Sequence, residues 1–158
     1  MLIRWTLFAS ILLVALSLMP AGAHLLMLPN KIDMNAADYL ANQQAYRGWA
    51  YVGIFVVLAL AATAALAWTG RDSSAAFAPA LVAFVCLAAT QVVFWTLNFP
   101  ANRVTHNWAT LPDNWEALRL RWETGHALSA VLTLLALVAL LSVLVRDGPP
   151  AGGPLSAS

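Results

Sequence analysis

Apolar residues run through this chain in four long blocks, and its polar residues collect between them. The blocks cover Ile3 to about Leu28, about Arg47 to Trp68, Ala75 to about Phe99 and about Thr124 to Val145. At about 20 residues each, they are long enough to cross the hydrocarbon core of a bilayer as helices. The pattern predicts an all-α fold. Residues 1–147 would form an integral membrane four-helix bundle, with helices over about 3–28, 36–69, 74–99 and 114–146. The remaining 148–158, rich in Gly, Pro and Ser, reads as a disordered tail. Asn35 with Asp38 three residues later reads as an N-cap, so the second helix is expected to begin well before the membrane. Gly70 reads as a helix end, and Ser73 or Ser74 as the cap of the next helix.

The connections are unequal. A short one, Thr69 to Ser74, lies on the face that also carries both termini; two long ones, Pro29 to Tyr46 and Pro100 to Glu123, lie on the opposite face. Polar residues beside the long connections keep helical phase. Trp115, Arg119, Trp122, His126 and Ser129 follow steps of 4, 3, 4 and 3 and share one stripe. Gln91, Trp95, Asn98 and Asn102 form a second stripe, and Leu40, Gln44, Arg47 and Tyr51 a third, while His24 lies near the same end of the first helix. Polar side chains are costly in hydrocarbon and normally face the bundle interior. The three stripes and His24 are therefore expected to point inward, into a polar pocket under one surface. Trp5, Trp49 and Trp68, at the ends of the spans, read instead as an aromatic belt.

Composition sharpens the class. The chain is 61% hydrophobic and 9% charged, against roughly 25% charged residues in a soluble domain. The first partner is thus the lipid bilayer. A net charge of +1 argues against nucleic acid, and Cys86, the single cysteine, can form no internal disulfide. Arg4, the apolar run to Leu18 and Ala21-Gly22-Ala23 imitate a secretory signal. The run continues through Leu25–Leu28, however, so the segment is read as a retained helix rather than one cleaved after Ala23.

No HExxH, CxxC, GxSxG or glycine-rich phosphate loop is present. Histidine supplies the near-neutral acid/base group, which makes His126 the candidate proton acceptor. Arg119 and Arg47 are placed to stabilise a developing enolate or phenolate. Asn98, Asn102 and Gln44 can orient carbonyls or hydroxyls, and Trp95, Trp115 and Trp122 can wall a flat ligand, with Tyr51 and His24 beside them. Such a site suits a planar, lipophilic, aromatic small molecule. The spacing of His24, His106 and His126 carries no metal-ligand signature, so neither metal nor cofactor is expected.

LNFPANRVTHNW, followed later by LRLRWETGHALSAVL, resembles the anthrone-oxygenase-like family of small four-helix membrane proteins. The resemblance rests on Pro100-Ala101-Asn102 near the end of the third helix and on Trp122-Glu123-Thr124-Gly125-His126 opening the fourth. The family's arginine three residues beyond that histidine is Ser129 here, which leaves anion stabilisation to Arg119 or Arg47. The resemblance implies a cofactor-independent oxidoreductase or oxygenase acting on a lipophilic phenolic or quinone-type molecule, with molecular oxygen as co-substrate. His126, Arg119 and Asn102 would be its catalytic residues. Two other readings stay open: a non-catalytic accessory or assembly subunit of a larger membrane complex, and a histidine-based metal or haem carrier.

Arg4, Arg71 and Arg146 fall on the face with the termini, and Lys31, Arg47, Arg103, Arg119 and Arg121 on the other. Arg4, ahead of the first apolar run, favours termini inside a bacterial inner (cytoplasmic) membrane.

Overall fold

The computed structural model describes residues 1–146; the expected disordered tail lies outside them. The first helix, α1 (Leu2–Lys31), runs through Pro20 and Pro29 and closes three residues later than expected, with Ile32 N–H donating to the Leu28 carbonyl at 3.1 Å. Proline removes one bond to the preceding turn. So close to the helix end, the next residues still complete that turn.

Helix α2 (Ala36–Gln44) is capped as the sequence predicts: Asn35 Oδ1 accepts the Asp38 N–H at 3.0 Å, and the Asn35 amide reaches the Asp38 carboxylate at 2.7 Å. The single helix expected over 36–69 is corrected to two. The chain turns at Gly48, whose φ of 87° suits a residue without Cβ, and re-enters through a 3-10 turn (Trp49–Gly53) into α3 (Ile54–Thr69). Helix α4 (Ser74–Val93) follows, with Ser73 at its N-cap. It widens into a π-helical turn (Phe94–Asn98) and continues as α5 (Phe99–Val104), beyond the expected end at residue 99. Pro100 lies at the start of α5. An α-helix would pair the Thr96 carbonyl with the N–H of residue 100, which proline lacks, and Arg121 donates to that carbonyl instead. After a tight loop, α6 (Trp115–Arg146) completes the chain.

Four stretches are long and apolar enough to cross a membrane: Leu2–Lys31, Trp49–Thr69, Ala75–Val104 and Trp115–Val145. The protein is an all-α membrane bundle in which α1 and α4 each pack on both α3 and α6. One core joins Leu7 and Val14 of α1, Ala59 and Leu66 of α3, Ala80, Ala83 and Leu87 of α4, and Ala136, Leu140 and Val143 of α6. The start of α1 thus meets the end of α6, so successive spans run antiparallel. Lipid is as apolar as leucine, so close contact rather than water exclusion holds these helices together. The buried alanines allow that approach. Buried Ser10, Ser17, Thr63 and Thr133 satisfy their hydroxyls on carbonyls four residues back, at 2.7–2.8 Å. Among the described residues, this half of the bundle carries no buried charge.

Candidate functional site

Charge is buried at the other end. Lys31, the last residue of α1, lies with its Nζ 2.8 Å from Glu123 Oε2, and the two side chains are 0% and 1% exposed. The Tyr39 hydroxyl donates to Glu123 Oε1 at 3.1 Å, so one carboxylate joins α1, α2 and α6. Lys31 Nζ also stands 3.4 Å from His24 Nδ1. An ammonium only donates, so in that contact the ring nitrogen is the acceptor. The ammonium further lies 5.1 Å from the Tyr46 ring centre and 5.4 Å from that of Trp122, within cation–π range.

Two imidazoles meet beside this pair. His24 and His126 stack at 4.2 Å with their planes 25° apart. Trp122 stands edge-on to both, at 5.0 Å from His24 and 4.1 Å from His126, while Tyr46 and Trp49 close the far side of His24 at 4.4 and 5.7 Å. Trp122 is fixed in turn: its indole N–H donates to Asn102 Oδ1 at 2.8 Å, and its carbonyl accepts from Asn98 Nδ2 at 2.8 Å. The Pro-x-Asn and Trp-x-x-x-His segments therefore meet in space. Asn102 reaches the histidines through Trp122, which makes it a positioning residue. Gly125 is required for the same contact, because any Cβ there would collide with the Asn98 side chain.

Toward the surface the cluster continues as Tyr39, Trp108, Trp115 and Arg119. Arg119 Cζ lies 4.6 Å from the Trp115 ring centre and 5.5 Å from that of Tyr39, and its Nη1 donates to the Met34 carbonyl at 2.6 Å. Trp108 is 3% exposed and packs edge-on to Tyr39 at 5.1 Å and to Trp122 at 5.8 Å. It is delivered by a loop with three successive left-handed residues, His106, Asn107 and Trp108 (φ 50°, 56° and 60°). None is glycine, so the turn is strained. Thr105 holds it, its Oγ1 accepting the Trp108 N–H at 3.0 Å, and Gln44 Nε2 donates to the Trp108 carbonyl at 2.9 Å. Burial, then the Glu123 charge, push the phenols of Tyr39 and Tyr46 above the ordinary tyrosine range.

Of the residues singled out in the sequence, His24, His126, Trp122, Asn102 and Asn98 are brought together, with Arg119 and Trp115 adjoining and Gln44 holding the loop. Three others, the expected wall residue Trp95, Tyr51 beside it and the expected anion stabiliser Arg47, are not. Trp95 is 58% exposed and packs on Phe94 and Phe99, because the π turn breaks the four-residue phase on which its inward position depended. Tyr51 is 86% exposed, and Arg47, also exposed, bonds Gln44 Oε1 at 2.6 Å. The stripe Leu40, Gln44, Arg47, Tyr51 presumed an unbroken helix. With the break at Gly48, the inward residues are Tyr39, Gln43 and Tyr46, one position earlier. At this end the rings of His24, His126, Trp122, Tyr46 and Trp49 pack on one another as one cluster.

Lys31, Tyr39, Tyr46 and Glu123 were missed as site residues, although two had a signal. Glu123 stands four after Arg119 and three before His126, on the stripe already recognised, and Lys31 stands seven after His24, two turns along one face. Among the described residues no three of His, Cys, Asp and Glu gather as a metal site. Comparison with known families, curated proteins and solved structures gave no match.

Proposed function

We propose that this protein is a membrane oxidoreductase of the oxygenase type, acting on a lipophilic phenolic or quinone-type molecule, with His126 as proton acceptor. The observation that carries the reading is the His24–His126 stack, walled by Trp122, Tyr46 and Trp49 and set against a buried Lys31–Glu123 pair. Ionisable groups inside a membrane bundle are expensive and mark functional sites. A base between flat aromatic walls suits a planar acid of the anthrone kind. Removing its proton to a histidine gives an electron-rich anion that reacts with molecular oxygen. In the net reaction the methylene carbon loses two hydrogens and gains one oxygen atom, and the second oxygen atom leaves as water. Arg119 and Lys31 are the cations nearest to such an anion. The likeness of the Pro100–Asn102 and Trp122–His126 segments to anthrone-oxygenase-like proteins supports the same assignment. The location that goes with it is a bacterial inner membrane, termini on the cytoplasmic side.

Turnover of an anthrone-type substrate in membranes carrying the protein tests this. His126→Gln keeps polarity and approximate size but takes up no proton near neutral pH, and is expected to lower the rate by about 10²–10⁴. Trp122→Phe keeps one flat wall and should chiefly raise KM. His106, exposed in the loop, is the control. Normal turnover by a folded His126→Gln protein would remove the base assignment.

The accessory-subunit reading has one observation of its own, the mutual packing of the site's rings. Inactive protein that co-purifies stoichiometrically with a second membrane protein in mild detergent would favour it.

A further inference from the structure

In the surface half of the cluster three buried donors, one of them on the Arg119 guanidinium, have no acceptor among the described residues. Lys31 and Glu123 neutralise one another. Arg119, 9% exposed, has no carboxylate within 4 Å among the described residues, and its Nε has no partner. Trp108 Nε1 and Gln43 Nε2 are likewise buried and unpartnered, on side chains 3% and 5% exposed. All three surround Tyr39: Trp108 and Arg119 pack on its ring, and Gln43 follows it by one turn of α2. Buried polar groups are almost always paired, and a buried cation without its anion is costly. Two unmet donors beside a guanidinium whose own Nε is free, with Glu123 already engaged by Lys31 and Tyr39, point to a further acceptor that is negative.

We propose that Arg119, Trp108 and Gln43 form a binding site for the carboxylate of a small aromatic amphiphile. A carboxylate offers two oxygens and about four lone-pair directions, enough for three donors, and guanidinium–carboxylate pairing is among the strong charge-assisted contacts. The rings of Tyr39, Trp108 and Trp115 supply the apolar walls. The site lies beside the end of α1 and the first turns of α6, outward of the histidine stack, so the acidic head would face outward and the apolar body toward His24 and His126. The strained His106–Trp108 turn delivers one of its three donors. This assignment goes beyond the proposed reaction, and it is read by binding rather than turnover.

The test is equilibrium dialysis of the full chain in lipid nanodiscs against 2-naphthoate and its uncharged amide. The acid should bind at least about tenfold tighter than the amide, the scale of one charge-assisted hydrogen bond. Arg119→Gln should erase that preference, Gln43→Leu and Trp108→Phe should each reduce it, and Arg103→Gln, at an exposed cation, should leave it intact. Equal binding of acid and amide, or a preference that survives Arg119→Gln, would overturn the site. If Arg119→Gln does not fold, an undiminished preference in both Gln43→Leu and Trp108→Phe overturns it equally. Preference without turnover keeps this site and removes the oxygenase reading, whereas turnover without preference does the reverse.

Discussion

Lys31 and Glu123 are the two side chains whose burial costs most if either stands alone. Taking one ion pair out of water is repaid only by good geometry and by bonds to the remaining oxygens, and here Tyr39 supplies such a bond. Lys31→Met alone should therefore destabilise by about 3–5 kcal/mol, since it strands a buried carboxylate. Lys31→Met combined with Glu123→Leu should recover much of the loss, and thermal unfolding of the three variants in one detergent closes the cycle. Two additive losses would mean that the pair is not coupled. The phenols give a pH signature. Tyr39 and Tyr46 are both raised in the fold, so their contribution is complete below the unfolded tyrosine value of about 10 and disappears as pH rises through the folded values. Absorbance of tyrosinate should show a late component that Tyr39→Phe removes. A single unresolved transition, unchanged in that variant, would contradict it. The aromatic and histidine members of this cluster were legible from phase and residue type. Lys31 was not, because a lysine just past an apolar run reads as an ordinary flanking charge; only its place two turns after His24 distinguishes it.

Among the elements, the junction of α4, the π turn and α5 with α6 is the one that sets the site. Pro100 frees the Thr96 carbonyl, Arg121 takes it, and Asn98 and Asn102 both reach Trp122. Gly125 lets α6 come this close. Gly125→Ala is expected to cost about 1–3 kcal/mol, as overpacking does, and to shift Trp122, read as lower thermal stability together with a changed tryptophan emission. An unchanged spectrum and stability would mean that Asn98 can move aside without cost. The spans themselves were readable because apolar blocks of that length have few alternatives. Their irregularities were not. Hydrophobic content cannot register one extra residue in a π turn, and Gly48 is a single position whose positive φ breaks a helix only because the chain must double back there. One-residue errors of phase follow from these two points, and they displaced Trp95 outward and exchanged Gln44 for Gln43.

The whole molecule has two unlike ends. At one, alanine, leucine and self-bonded hydroxyls pack without buried charge among the described residues; at the other, four elements contribute to a buried ionic and aromatic cluster. The sequence located that end through its long connections, and the antiparallel order puts Met1 and the α3–α4 turn together opposite it. Orientation turns on which basic residues still count as loop charge. Lys31 and Arg119 are buried, and inward cations do not act as topological signals in the way that exposed flanking ones do. Setting those two aside leaves Arg47, Arg103 and Arg121 at the cluster end against Arg4, Arg71 and Arg146 at the other. The numerical excess at the cluster end disappears, which agrees with the proposal that Arg4, ahead of the first span, marks that terminus as inside. With Cys86→Ser as background, single cysteines at Leu2 and Ser73 should be shielded in intact cells from an impermeant maleimide, and one at Ala37, exposed on α2, should be labelled. Labelling of all three positions, or of Leu2 and Ser73 on opposite sides, would break the antiparallel order. The fully reversed pattern would keep the bundle and place the carboxylate site on the cytoplasmic surface, where it would draw its ligand from metabolism rather than from outside the cell.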